Sequence, residues 1–333
     1  YRTPRQHVGG CLWHSFDHQR GYHPDPFYGG LMDVFRQPKY SYYMFQAQRS
    51  PKKQDRLFET GPMVYIAHEM TPFSPKDVTV YSNCDEVRLT YNKGGKSLTY
   101  TKPVSREGMP SPIITFKDVY NFMIDKNMSM KEGRQKEVFL LAEGLINGKV
   151  VATHKVCPAR RPSKLLLWID NENTELKADG SDFVTVIAAI ADKNGNIKRL
   201  NNYYVKFHIE GEGRILGGAN VLANPAPVKW GTAPILVQST LKPGKIKITA
   251  SVLFEGSQMP VSAELELESK PSAYPLIYAS EEAALIPMKS DSQSFPITAK
   301  SQKELEKEKA VKEQNERKLK EVEQQQADFG EKK

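Results

Sequence analysis

With 333 residues, 39% of them hydrophobic, the chain is long enough for two or three packed domains. Its net charge of +8 comes from dispersed cations, and the one tight basic cluster, Arg160, Arg161 and Lys164 around Pro162, has no stacking platform or helix-turn-helix pattern beside it, so nucleic-acid binding is not expected. No apolar run reaches the length of a membrane span, and the three scattered cysteines, Cys11, Cys84 and Cys157, are too few for a disulfide framework or a four-ligand zinc site.

The chain opens at Tyr1 rather than methionine, inside what reads as an element, and is therefore expected to be a fragment. Two glycines, Gly9 and Gly10, sit in a short apolar strand, Val8 to Leu12, that runs into Trp13. A polar, proline-rich turn from Gly21 to Pro26 follows, and then an aromatic helix from Tyr40 to Gln48 with Pro38 near its start. Strand, long loop and helix form the repeating unit of a parallel α/β fold. Such a strand needs neighbours on both sides and helices over both faces, and no second unit follows it here. Tyr40, Tyr43 and Ala47, spaced three and four apart, make a core stripe in which the aromatic face packs on the barrel sheet, leaving Tyr42 and Phe45 to meet the next domain.

The pattern Gly9-Gly10-x-x-Trp13-x-x-x-Asp17, then Gly29-Gly30-Leu31-Met32-Asp33, Arg36-x-Pro38-Lys39 and Tyr42-Tyr43-x-Phe45-Gln46, resembles the last strand, loop and helix of the TIM barrel in family 2 glycoside hydrolases of the bacterial β-galactosidase type. The resemblance implies that residues 1–50 are the incomplete C-terminal end of a (β/α)8 catalytic barrel, in which reacting groups sit at the C-terminal ends of strands. It makes Trp13 part of the floor of a sugar pocket, its flat face against the C–H face of a sugar ring, with His14 and Asp17 beside it as further substrate-binding residues. Read without the resemblance, Trp13 is a core tryptophan wedged under a barrel rim. Asp17 accepts a bond from a sugar hydroxyl or pairs with Arg20.

His7, His14, His18 and His23 lie close to Asp17 and Asp25, a metal-like composition. The glycines and prolines between them argue against the helix that would align His14 with His18, and no metal site is expected. Retaining glycosidases need two carboxyl groups about 5 to 5.5 Å apart. The resemblance implies two glutamates on earlier barrel strands, yet the first glutamate of this chain is Glu59. No catalytic residue is therefore expected in this chain, and it should be inactive alone.

From residue 51 the chain changes to short β-rich runs. Val64–Ala67, Val78–Tyr81, Val87–Tyr91, Ile113–Phe116 and Val138–Gly144 read as strands, with Asn92 to Gly95 and Asn147-Gly148 as hairpin turns, and Lys117 to Arg134 as an irregular insertion. The phrase Val78 to Val87 is similar to the first sandwich after the barrel in the same glycosidases. A linker, Cys157 to Ser163, leads to strands at Lys164–Asp170, Phe183–Asp192, Tyr203–Glu210, Ala233–Ser239, Lys245–Phe254 and Val261–Glu268, with a turn at Asp192 to Asn196. Glycines at 211, 213, 217 and 218 run into Asn224-Pro225 rather than a helix, which excludes a dinucleotide loop, and no cofactor is expected. Trp168 and Trp230 are core or rim residues, or a carbohydrate-binding platform. Residues 271–300 read as linker, and Ser301 to Ala327, with pairs such as Glu308 and Lys312, as a charged solvated helix.

The expected fold is thus mainly β. Two immunoglobulin-like β-sandwiches, at 51–160 and 161–270, follow the last βα unit of a TIM barrel at 1–50 and precede a linker and charged helical tail at 271–333. The resemblance implies the C-terminal portion of a retaining, exo-acting glycosidase, a β-galactosidase, from a periplasmic or secreted bacterial enzyme. Its partner is a carbohydrate substrate, with no nucleic acid and no membrane, and the sandwiches bury surface between domains or between copies in a homo-oligomer. Two other readings are a non-catalytic carbohydrate-binding or adhesin-like module and a scaffold joined to a partner by its charged helix.

Overall fold

Apolar–polar alternation in most of the longer strands builds two layered β-sandwiches. The computed structural model describes residues 13–19, 26–52, 61–105, 113–123, 137–170, 175–253 and 260–273. The chain divides into units Tyr1–Ile286 and Pro287–Lys333, and every described residue lies in the first. The expected strand Val8–Leu12, the end of the insertion before Arg134 and the charged helix Ser301 to Ala327 lie outside the described residues.

The first sandwich contains β1 (Val64–Ala67), β2 (Val78–Ser82), β3 (Glu86–Lys93), β4 (Ser97–Pro103), β5 (Ile113–Phe116), β6 (Val138–Ile146) and β7 (Lys149–Val156). All pairings are antiparallel, in sheets ordered β1-β2-β5 and β4-β3-β6-β7. Alternate residues of each face the other sheet. Val64, Ile66, Val78, Val80, Ile114 and Phe116 pack on Val87, Leu89, Tyr91, Leu140 and Ala142. Each fully buried aliphatic side chain contributes about 1.5–3 kcal/mol. The expected turns form: Asn147 and Gly148 both have positive φ (50° and 74°), as a two-residue hairpin requires, and Asn92 accepts the Gly95 amide at 3.0 Å. Strands β4 and β7 were not foreseen. Both are sheet edges with exposed, lysine- and threonine-bearing faces, so their pairing with β3 and β6 decides their state rather than any pattern of their own.

The second sandwich holds β8 (Lys164–Ile169), β9 (Leu176–Ala178), β10 (Phe183–Ala191), β11 (Tyr204–Gly211), β12 (Gly213–Ile215), β13 (Ala226–Pro227), β14 (Thr232–Ser239), β15 (Gly244–Leu253) and β16 (Ala263–Pro271). The sheet β12-β14-β10-β8 stacks on β13-β11-β15-β16-β9. Their shared core includes Val186, Ile190, Phe207, Ile235, Ile246 and Ile248. In the glycine cluster, Gly211 has φ 95° and a Cβ there would lie 2.1 Å from the Lys245 carbonyl oxygen, so glycine is required by the close approach of β15. A single 3-10 turn, Ala219–Val221, follows, not the helix a phosphate loop needs.

Helix α1 (Tyr40–Gln46) corrects an expectation. Its Tyr40–Tyr43–Ala47 stripe is the one that meets the first sandwich. Tyr43 stacks on Tyr65 of β1 with ring centroids 3.6 Å apart, while Phe45 is left 43% exposed. The stripe with three-four spacing is the only continuous apolar face so short a helix has, and β1 offers it the aromatic on its outer face. Burial, before any other cause, pushes the Tyr40 and Tyr65 hydroxyls well above the usual tyrosine range.

Two histidines, His68 buried and His154 half-buried, accept backbone amides. The Met70 amide donates to His68 Nδ1 at 3.1 Å, and the ring's Nε2 donates to the Pro75 carbonyl at 2.9 Å. The Ile66 amide, on the open edge of β1, donates to His154 Nδ1 of β7 at 3.0 Å, which joins the two sheets at that side. Burial holds both rings below the ordinary histidine range. A ring that resists protonation when folded but accepts it when unfolded gives stability that is present above about pH 6.5 and is lost as pH falls towards the folded-state value. Urea unfolding at pH 7 and pH 5 is expected to show lower stability at pH 5, with His154→Gln flattening part of the difference. A stability independent of pH over that window would contradict this.

Candidate functional site

Residues 13–19 and 26–39 fold back on one another by backbone bridges. The Met32 amide donates to the Ser15 carbonyl (3.0 Å) and the Asp17 amide to the Met32 carbonyl (2.9 Å), while Phe27 and His18 exchange a second pair. Gly30 lies inside the crossing, and its amide donates to Asp17 Oδ1 at 2.9 Å. Asp33 closes the next turn, accepting the amides of Phe35 and Gln37 at 2.8 Å each, and Arg36 takes a positive φ of 64° between them. Burial is the first cause that raises the Asp33 carboxyl above its ordinary value.

Of the residues singled out from the sequence, Trp13 stands 80% exposed. The peptide joining it to His14 is cis. The His14 ring sits 4.3 Å from His18 and 5.4 Å from Phe27, centroid to centroid, and both of its ring nitrogens are buried with no hydrogen-bond partner among the described residues. Buried nitrogens left unbonded are costly.

Asp17 is turned inward. Its side chain is 2% exposed and receives the Lys39 ammonium at 2.6 Å, while the same ammonium donates to the Tyr28 carbonyl at 3.1 Å. Among the described residues the cation beside Asp17 is Lys39; Arg20, His7, His23 and Asp25 lie outside the described residues. Lys39 was visible in the Pro38-Lys39 pair, but nothing local showed that the lysine ending the loop would return to the aspartate that starts it. Among the described residues, no three histidine, cysteine, aspartate or glutamate side chains come together as metal ligands.

The loop is tied to both sandwiches. The Tyr40 hydroxyl donates to Glu69 Oε1 at 3.0 Å, and Arg199 of the second sandwich donates through Nε to Glu69 Oε2 at 3.0 Å. Gln37 Nε2 reaches Asp170 Oδ1, at the end of β8, at 3.1 Å. No sequence signal marks these partners, which lie up to 133 positions apart.

Residues 167–253, most of the second sandwich, match the model of the glycoside hydrolase family 2 C-terminal domain 5. The two sandwiches belong to the C-terminal part of a glycoside hydrolase family 2 protein. The chain is 32% identical, over 77% of its length, to a β-galactosidase of Thermoanaerobacter pseudethanolicus, of which it covers 33%. A solved β-glycosidase from Bacteroides vulgatus superposes on 76% of the chain with a TM-score of 0.57 and 24% identity, the chain covering 30% of it. A family 2 β-glucuronidase structure does so over 75% with a TM-score of 0.55 and 22% identity, 24% of it being covered. The chain thus spans about a third or less of the length of these relatives, and the two structures support the family 2 fold alone.

Proposed function

We propose that this chain is the C-terminal portion of a retaining, exo-acting glycoside hydrolase that removes terminal β-linked sugars, with β-galactosides as the preferred class. Residues 1–50 close a (β/α)8 barrel, residues 51–160 and 161–270 are immunoglobulin-like sandwiches that brace it, and residues 271–333 are a linker and charged tail. The seven-strand arrangement supports the immunoglobulin-like reading, because β5 crosses back to pair with β2 after the β3-β4 hairpin has joined the other sheet. Kinship with a β-galactosidase favours the galactoside over the glucuronide.

The observation that carries the reading is the pairing of an indole 80% open to solvent with a histidine whose two buried nitrogens lack partners among the described residues. Together they offer an apolar platform for a sugar's C–H face and a polar group for one of its hydroxyls. Asp17 and Lys39 hold that platform in place. In a retaining mechanism one carboxylate attacks the anomeric carbon and expels the leaving group, which a second carboxyl protonates. Water, deprotonated by that second group, then releases the sugar with its configuration retained. Both glutamates come from sequence upstream of Tyr1 in this reading, so the 333-residue chain alone cleaves nothing. In the full-length parent, Trp13→Ala is expected to lower kcat/KM on nitrophenyl β-galactoside about tenfold, the loss of one stacked ring. Wild-type kinetics in that variant, or hydrolysis by the isolated chain, would overturn the proposal.

A further inference from the structure

The link between β13 and β14 carries the other exposed tryptophan of the described residues. Lys229 and Thr232 exchange backbone hydrogen bonds at 2.8 and 3.1 Å, which leaves Trp230 and Gly231 as the two central residues of a hairpin turn. Both have positive φ, 51° and 85°. Such turns favour asparagine, aspartate or glycine, and a tryptophan in the left-handed region is strained. Strain of this kind is kept where the side chain is used.

The turn is also rigid. A Cβ on Gly231 would lie 2.9 Å from the Lys198 carbonyl oxygen, so the backbone beneath is in contact, and Arg199 donates to the Trp230 carbonyl at 3.2 Å. The indole remains 53% exposed, while the turn beneath it rests on the Ile197 side chain and the backbone of Lys198 and Arg199. A protein–protein face would continue as an apolar patch. A flat ring held out at a turn, with the Arg199 guanidinium on the carbonyl beneath it, has the make-up of a sugar contact. The same Arg199 holds Glu69, which holds Tyr40, the residue after the lysine that fixes Asp17. The Trp230 turn is therefore braced against the start of α1 and, through it, against the Trp13 loop.

We propose that Trp230 is a second saccharide contact, through which the second sandwich takes sugar units beyond the one seated at Trp13. The proposal rests on the glycosidase reading above and extends it to the leaving-group side of a chain. The test uses the full-length parent with nitrophenyl β-galactoside and with β-linked galacto-oligosaccharides of two to five units, measuring both hydrolysis and binding by titration calorimetry. Trp230→Asn, which suits the turn and removes the ring, is expected to keep the wild-type Tm. Its loss should grow with chain length, reaching about tenfold in KM and in Kd on the pentasaccharide relative to the nitrophenyl substrate. Trp230→Phe should recover most of that loss. A chain-length profile matching the wild type overturns the proposal, as does an equal loss on every substrate with a lowered Tm, which assigns the indole to packing against upstream protein. Trp13→Ala reports separately on the underlying reading, because its loss is equal at every chain length.

Discussion

Gly30→Ala is expected to open the Trp13–Lys39 loop. A Cβ at this position would lie 2.3 Å from the Asp17 amide nitrogen, 2.4 Å from the Phe16 carbonyl carbon and 2.6 Å from the Met32 carbonyl oxygen. All three are backbone atoms, so no rotamer change can relieve the contact, and the bridges at Asp17 and Met32 must part instead. Overpacking of this kind costs about 1–3 kcal/mol and occasionally more, and the upper end applies where nothing can give. Hydrogen exchange reads the loss locally: the Asp17 and Met32 amides are expected to exchange about 100-fold faster, with β2 and β10 unaffected. Unchanged protection at these two amides would show that the loop is not held by this crossing. In the parent enzyme the same substitution should reduce hydrolysis at least as far as Trp13→Ala, since it displaces the tryptophan and the histidine together.

Lys39→Met keeps most of the unbranched side chain and removes its charge. It leaves the Asp17 carboxylate, 2% exposed, with the Gly30 amide as its remaining donor among the described residues. Breaking a fully buried pair costs about 3–5 kcal/mol because the surviving charge is stranded. Lys39 is 31% exposed, so water can partly replace it, and about 2–3 kcal/mol is the reasonable expectation. Adding Asp17→Asn should return part of that loss, because the stranded charge is then gone. A double-mutant cycle by urea unfolding is expected to show coupling of about 1 kcal/mol or more, and strict additivity would mean that the pair does not stabilise the loop.

These two experiments bear on how the site could be read from the chain. Trp13, His14 and Asp17 were picked out by residue type and by likeness to a barrel loop, and the structure brings them into one folded segment. Their separate circumstances were not legible. Asp17 turns inward because a lysine 22 positions away returns to it, and His14 loses its partners because Phe27 and His18 enclose it. Both facts depend on a loop path that passes through Gly30, where the sequence shows only a glycine pair.

Alternation by itself settled the central strands of this protein. Val78–Ser82, Glu86–Lys93 and Thr232–Ser239 each present a buried face every second residue, and a one-residue slip would turn every one of those side chains to water, whereas Phe183–Ala191 is a continuous apolar run buried on both faces from Val186 on. The edge strands β4 and β7, the face that α1 presents, and the Tyr40–Glu69–Arg199 bracing were decided only in three dimensions. An edge has no second neighbour to impose a pattern, a seven-residue helix has too few turns to declare its buried side, and an ion pair across 130 positions leaves no trace in either local segment.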